Sequence, residues 1–281
     1  MHPLLIDDHL TRFFKEDIQF GDLSADSIFA EADEGTGIII CKDQGIFCGA
    51  SVIEHGFRLL SPQTKISLHK KDGDKIAPGD KLATITAPVR SLLTGERTIL
   101  NLIQRMSGIA SLTYKAVQTL NAKQTRICDT RKTTPGLRLF EKYAVTCGGG
   151  FNHRSSVNDG VMIKDNHIAY CGSITEAVKQ AKEKVGPMIQ IEVETESEED
   201  VIEAVQAGAN IIMFDNRSPE EIIRFMKHIP PHIKTEASGG ITLDTLADYS
   251  KTNVDYISLG FLTYHASALD FSMLVDGGNK R

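Results

Sequence analysis

Along the second half of the chain, short runs of β-branched and apolar residues alternate with stretches whose apolar positions recur every three to four residues. That alternation builds βαβ units on a parallel sheet. It predicts strands over 126–129, 160–164, 188–193, 210–214, 233–237 and 254–259. The helical stretches between them have readable ends. Ser173-Ile174-Thr175-Glu176 is a capping-box pattern ahead of a helix over 177–185, which Gly186-Pro187 closes. Ser218-Pro219-Glu220-Glu221 supplies an N-cap, a proline at the first helical position and acids in the first turn. Further helices are expected over 138–146 and from about Leu243. Six units of this kind predict an α/β barrel or an open doubly wound sheet. No G-x-G-x-x-G turn follows the first strand, which disfavours the dinucleotide-binding version.

The pattern before about residue 108 is of an α+β kind. Strands are predicted over 37–42 and 45–49 as a hairpin around Asp43-Gln44, and over 65–70 and 81–86, with a turn at Asp72-Gly73-Asp74 and a helix over 50–60. This is the style of a small β-sandwich such as a lipoyl or biotinyl carrier, but the turn lacks the exposed lysine that a carrier would modify. Residues 91–120 have the apolar spacing of a helix, interrupted at Gly108, that joins two domains. The expected division is a sandwich domain over 1–108, joined by 265–281, and a barrel domain over 109–264.

Composition narrows the classes. Hydrophobic residues make up 41% and charged residues 24% of 281, which is ordinary for a globular protein. No apolar run approaches the ~20 residues of a membrane span, and the first residues lack the pattern of a signal peptide, so a cytoplasmic location is expected. Five cysteines without C-x-x-C spacing read as reduced structural thiols. The net charge of -6 argues against nucleic acid as partner. Yet between Arg126 and Lys164 there are seven Lys/Arg against three acids, a local balance of +4 that suggests a small anionic ligand.

Parallel α/β folds bind ligands at the C-terminal ends of their strands, and polar residues stand there. The early strand ends and loops offer Arg131, Lys132, His153, Arg154 and Lys164, suited to carboxylates through charge-assisted bonds. Later ones offer Glu192, Glu194 and Asp215, and the oxygens of Glu192 and Asp215 suit magnesium. Ser238-Gly239-Gly240 and Leu259-Gly260 are turns in which backbone N–H groups can approach a phosphate. Gly148-Gly149-Gly150 reads equally well as a flexible turn or as part of a site. The implied ligands are a carboxylate-bearing molecule, a magnesium ion and a phosphorylated compound.

Several of these segments together resemble the quinolinate phosphoribosyltransferase family. They are Glu96-Arg97-Thr98, Ser107-Gly108-Ile109-Ala110, Asp129-Thr130-Arg131-Lys132-Thr133-Thr134-Pro135-Gly136, Gly148–Arg154, Ile163–His167, Ile191–Glu194, Phe214-Asp215-Asn216 and Glu236–Ile241. The resemblance implies an N-terminal α+β sandwich domain with an incomplete, TIM-like parallel α/β barrel. It also implies a homodimer, or a higher oligomer, whose sites are shared between chains. By position it places Arg131, His153, Arg154 and Lys164 in the quinolinate pocket, with Arg97 reaching in from the partner subunit. Lys132 would lie near pyrophosphate, Glu192 and Asp215 near the ribose hydroxyls and magnesium, and Ser238, Gly239 and Gly260 around the 5′-phosphate. Lys132, Lys164, Glu192 and Asp215 are the expected catalytic groups. The implied reaction joins quinolinate to phosphoribosyl pyrophosphate with loss of carbon dioxide, in NAD biosynthesis. The alternatives are a molybdenum-associated paralogue of the same family, nicotinate phosphoribosyltransferase, or a non-catalytic carrier module.

Overall fold

The computed structural model describes residues 1–276, and these divide into two compact units. The first comprises Met1–Leu112, Leu139–Gly149 and the chain from His265 onward; the second comprises Thr113–Arg138 and Gly150–Tyr264. In chain order the helices are α1 (Pro3–Ile18), α2 (Leu23–Ile28), α3 (Ala50–Leu60), α4 (Val89–Leu120), α5 (Arg138–Cys147), α6 (Asp165–Cys171), α7 (Ile174–Lys184), α8 (Glu198–Ala207), α9 (Pro219–Phe225) and α10 (Phe261–Tyr264). The strands are β1 (Glu34–Cys41), β2 (Gly45–Ile46), β3 (Lys65–Leu68), β4 (Lys75–Ile76), β5 (Lys81–Pro88), β6 (Arg126–Cys128), β7 (Val161–Ile163), β8 (Ile191–Thr195), β9 (Ile211–Asp215), β10 (Lys234–Ser238), β11 (Tyr256–Ser258) and β12 (Phe271–Asp276).

In the first unit, β12, β1, β5 and β3 form an antiparallel sheet in that order, and β2 pairs separately with β4. The expected hairpin between 37–42 and 45–49 is therefore corrected. Both edges of β1 are already occupied, by β5 and β12, so β2 must find another partner. The expected break of the long helix at Gly108 is absent as well. The helix continues, and the glycine serves a close approach: a Cβ there would overlap the Ser267 carbonyl. Gln104 fixes that crossing, its carbonyl accepting from the Leu269 N–H at 3.1 Å and its Nε2 donating to the Phe271 carbonyl at 3.1 Å.

The segment Leu139–Gly149, expected in the barrel, belongs to the first unit, and three contacts hold it there. The ring of Phe140 packs edge-on against His9. Arg105 Nε donates to Glu141 Oε1 at 2.7 Å, and the Tyr143 hydroxyl donates to Asp72 Oδ2 at 2.7 Å. Glu141 is only 1% exposed, so this charge is paired within the unit's interior.

The second unit is an all-parallel sheet in the order β6-β11-β10-β9-β8-β7. Each strand from β7 to β10 pairs with the next in sequence, and β6 pairs with β11. This is the order of a barrel cut open between its first two strands, β6 and β7. At the cut, Phe151 forms a single parallel bridge with Cys128. Ile127, Val193, Ile212, Phe214, Ala237 and Ile257 are buried on the strands, as a sheet covered on both faces requires. The caps form as their residue types dictate: Ser173 Oγ accepts from the Glu176 N–H, and Ser218 and Glu221 form a reciprocal box with Pro219 at the first position. No α-helix begins at Leu243. The chain there makes turns and a 3-10 segment over Leu246–Lys251, in which Thr242 and Thr245 spend their hydroxyls on each other's backbone.

Candidate active site

Side chains alternate across a strand, so one face of the sheet receives every second residue. On that face lie Met162, Glu194, Met213, Asp215, Glu236, Ser238 and Ser258, and all line one cleft of about 930 Å3 in the second unit. The loop after β6 adds Arg131 and Lys132, the segment between α5 and β7 adds His153 and Arg154, and the end of β7 adds Lys164. The cleft thus gathers most of the residues the sequence nominated. Two are not in its lining: Gly260 lies beside it, where a Cβ would crowd Lys132 Cδ at 3.1 Å, and Glu192 is buried two residues before Glu194 on the same strand face. Arg97 stands exposed on α4 within the first unit, and the cleft is lined without it.

The cationic side rests on buried Asp129. Its Oδ1 accepts from the His153 backbone N–H at 2.8 Å and its Oδ2 accepts from Asn152 Nδ2 at 2.6 Å, which pins the loop after the glycine run to the end of β6. Arg138 does the same from the other side: its Nε donates to Thr133 Oγ1 at 2.9 Å and its Nη1 to the Ser155 carbonyl at 3.1 Å. Arg154 is held by a bond from Nη1 to the Gly160 carbonyl at 3.0 Å. Burial and the neighbouring Arg131 guanidinium hold its pKa below the usual arginine value, yet an arginine stays charged at neutral pH. Arg131 Nε is buried without a hydrogen-bond partner among the described residues. Two like charges brought together, one with an unpaired donor, form a receptor for an anion with two acceptor groups.

The opposite side is acidic. Asp165, Glu194, Glu196, Asp200, Asp215 and Glu236 are six carboxylates in the lining against four Lys/Arg, so the cleft as a whole is not basic. Lys164 already has a partner: its Nζ donates to both oxygens of Glu194, at 2.7 and 2.8 Å. Within the cleft, His153 Nε2 lies 3.2 Å from Glu192 Oε2 and 3.4 Å from Glu236 Oε2. Burial lowers the pKa of His153, and the two carboxylates more than reverse this, to about 10. The Arg154 amide faces Nδ1 at 2.8 Å, which leaves Nε2 turned toward the two carboxylates. Burial in turn raises the pKa of Glu192.

Glu192 and Asp215, both expected near magnesium, stand at different depths of the register. Glu192 pairs with Ile211, which puts Asp215 four residues further along, about 13 Å at the rise of a strand. The donor atoms that converge with Glu192 are those of His153 and Glu236, all within 4.8 Å. At the ends of β9 and β10, Asn216, Gly239 and Gly240 have φ of 53°, 84° and 62°. The Asn216 N–H donates to the Ser238 carbonyl at 2.9 Å, and a Cβ on Gly239 would strike the Asn216 side chain, so only glycine fits this turn.

The sequence also offers Asp129, Glu194 and Glu236 as polar strand ends but not their partnerships, Asp129 as a prop, Glu236 as the second carboxylate on His153 and Glu194 on Lys164, and it does not offer Arg138. The two-residue period offers a signal for the glutamates, since Glu194 follows Glu192 and Glu236 precedes Ser238 at that spacing. Nothing local signals Arg138.

Family models match almost the whole chain. The C-terminal domain of quinolinate phosphoribosyl transferase matches residues 109–274, and the N-terminal domain of the same enzyme matches residues 22–107. The chain belongs to the quinolinate phosphoribosyl transferase family. Among curated relatives, the probable nicotinate-nucleotide pyrophosphorylase (carboxylating) of Bacillus subtilis is 53% identical, over 100% of this chain and 96% of that one. The nicotinate-nucleotide pyrophosphorylase (carboxylating) of Rattus norvegicus is 40% identical, over 84% of this chain and 80% of the other. Among solved structures, NadC from Streptococcus pyogenes has a TM-score of 0.95 at 40% identity, covering 98% of both chains. The family fold, an α+β domain with a parallel α/β domain, is the one described above.

Proposed function

We infer that the chain transfers a phosphoribosyl group from phosphoribosyl pyrophosphate to quinolinate, releasing pyrophosphate and carbon dioxide and giving nicotinate mononucleotide for NAD biosynthesis. The observation that carries this reading is the convergence of Arg131 and Arg154, with a buried, unpaired Nε on Arg131. Adjacent ring carboxylates repel each other, and two fixed guanidiniums offset that repulsion while aligning the ring. The curated relatives carry the carboxylating name, which does not favour the molybdenum-associated paralogue.

The roles follow from placement. Arg131 and Arg154 hold the two carboxylates. Lys164, kept in place by Glu194, adds a third cation on the same side. As pyrophosphate leaves, the sugar carbon becomes electron-poor and the pyridine nitrogen attacks it. Lys132, exposed at the mouth of the cleft, stabilises the negative charge that departs. Once the nitrogen is quaternary, the carboxylate at the adjacent carbon leaves as carbon dioxide. Its bonding pair stays next to the positive nitrogen until a proton takes its place. The Ser238-Gly239-Gly240 turn presents backbone N–H groups suited to the 5′-phosphate, with Gly260 at its side.

Magnesium fits the acidic wall through its hard carboxylate oxygens. Asp215, on the cleft surface, is the residue that would hold it, and Glu192, buried deeper along β8, acts through His153. When bound, the ion neutralises charge on the pyrophosphate. The proposed assembly is a homodimer in which Arg97 of one chain completes the other's cleft. A cytoplasmic location is proposed on the absence, among the described residues, of any helix long and apolar enough to cross a membrane, together with the soluble chemistry of the substrates.

The test is direct. The chain is incubated with quinolinate, phosphoribosyl pyrophosphate and magnesium, and carbon dioxide and nicotinate mononucleotide are measured together. Equal yields of both support the reading. Turnover of nicotinate in place of quinolinate, or no product with either, overturns it.

A further inference from the structure

The first unit contains a second cluster of reactive groups that phosphoribosyl transfer does not use. The sulfur atoms of Cys48 and Cys147 and a carboxylate oxygen of Asp72 all lie within 4.8 Å of one another. Neither cysteine is in a disulfide. Cys48 is fully buried, and its backbone is clamped on both sides by Ser107, whose Oγ accepts from the Cys48 N–H at 3.0 Å and donates to the Cys48 carbonyl at 3.1 Å. Cys147 is the last residue of α5, partly exposed, and followed by Gly148-Gly149-Gly150. A fixed, buried thiol thus faces a partly exposed one at a helix end.

We propose that Cys48 and Cys147 are a thiol pair that a peroxide oxidises to a disulfide, with Cys147 as the attacking sulfur and Cys48 as the resolving one.

The chemistry around the pair divides the roles in that way. The Cys48 thiol hydrogen-bonds Cys147 and lowers its pKa, while burial pushes the Cys48 thiol up. The more acidic sulfur is also the more accessible, as oxidation by peroxide requires. In the first step the Cys147 thiolate displaces hydroxide from the peroxide and becomes a sulfenic acid. In the second, Cys48 attacks that sulfur, water leaves, and the two electrons lost by the thiol pair have reduced one peroxide to water.

A metal site is the competing use of the same atoms, and Asp72 argues against it. Its Oδ1 already accepts from the N–H groups of Gly49 and Ala50, at 2.7 and 2.9 Å, and caps α3. Its Oδ2 accepts from the Tyr143 hydroxyl, whose pKa burial and Asp72 hold far above the usual phenol range, so it stays a donor. With both oxygens engaged, two thiols remain, short of the four ligands of a structural zinc site.

The experiment uses the whole chain, reduced, freed of reductant, exposed to hydrogen peroxide, alkylated and mapped without reduction. The expected result is a mass loss of about 2 Da, a peptide pair joining Cys48 to Cys147, and full reversal by a dithiol, with Cys41, Cys128 and Cys171 alkylated as before. In Cys48→Ser, Cys147 should stop at a sulfenic acid that dimedone traps. The proposal is overturned by a link between any other cysteines, or by Cys147 passing to sulfinic acid in the unaltered chain without a link. Protection of both thiols that a chelator removes would also overturn it, since the pair would then be metal ligands. Should Cys48→Ser fail to fold, the map of the unaltered chain decides alone.

Discussion

Single residues divide into those that touch the cleft and those that aim them. Arg131 is of the first kind. Arg131→Ala removes charge-assisted bonds worth about 1.5–3 kcal/mol, so the KM for quinolinate should rise by roughly 10- to 100-fold while binding of phosphoribosyl pyrophosphate, read by calorimetry, stays near that of the parent. Asp129 is of the second kind: fully buried, it accepts from His153 and Asn152. Asp129→Ala leaves those donors unpaired, at a cost of about 1–3 kcal/mol each. A lower melting temperature together with a reduced kcat is the expected outcome. The cations were legible in the sequence because Arg131, Arg154 and Lys164 cluster in a stretch of net positive charge. The partners of their acidic counterparts were not, since Glu194 and Glu236 read only as polar strand ends until the fold brings them to Lys164 and His153.

At the scale of elements, strands and capped helices of the second unit were readable because their signals are local. Ser218 fulfils its cap as its type predicts, and Ser218→Ala should cost about 1 kcal/mol, checked by chemical denaturation. The turn after β10 is a different matter. Gly239→Ala forces a side chain into left-handed backbone and against Asn216. Its expected effect is a raised KM for phosphoribosyl pyrophosphate with that for quinolinate little changed. The elements misjudged were those decided by distant partners. β2 leaves its sequence neighbour because β12, more than two hundred residues later, takes the edge of β1. Gly108 reads as a helix breaker in isolation and is instead the point where another segment crosses. The 3-10 segment after Thr245 replaces an α-helix because two threonines compete for the backbone.

For the whole molecule, the proposed sharing of sites makes a quantitative prediction. If Arg97 serves the partner's cleft, mixing Arg97→Ala with Lys164→Ala chains in equal amounts gives hybrids with one intact and one doubly impaired site. Half the dimers are hybrids, so about a quarter of the parental activity should return. No recovery at any ratio would exclude a shared site. Arg97 could not be nominated by spacing, since an exposed arginine on a helix has no local mark of its use. The division into units was legible in outline, from the change of pattern near residue 108, and missed the return of Leu139–Gly149, which side-chain contacts with α1, α4 and Asp72 determine.

The seating of β12 on β1 has a consequence for how the protein is made. Translation delivers β1 early and its outer neighbour last, after every strand of the parallel sheet. While the ribosome is still at work, β1 therefore presents an unpaired edge of the sort that recruits other nascent chains. The parallel sheet can complete itself during elongation, whereas the antiparallel sheet closes only when the tail emerges. A stop codon placed shortly before Phe271 would leave the cleft residues encoded in full and yet yield a sticky, poorly recovered product.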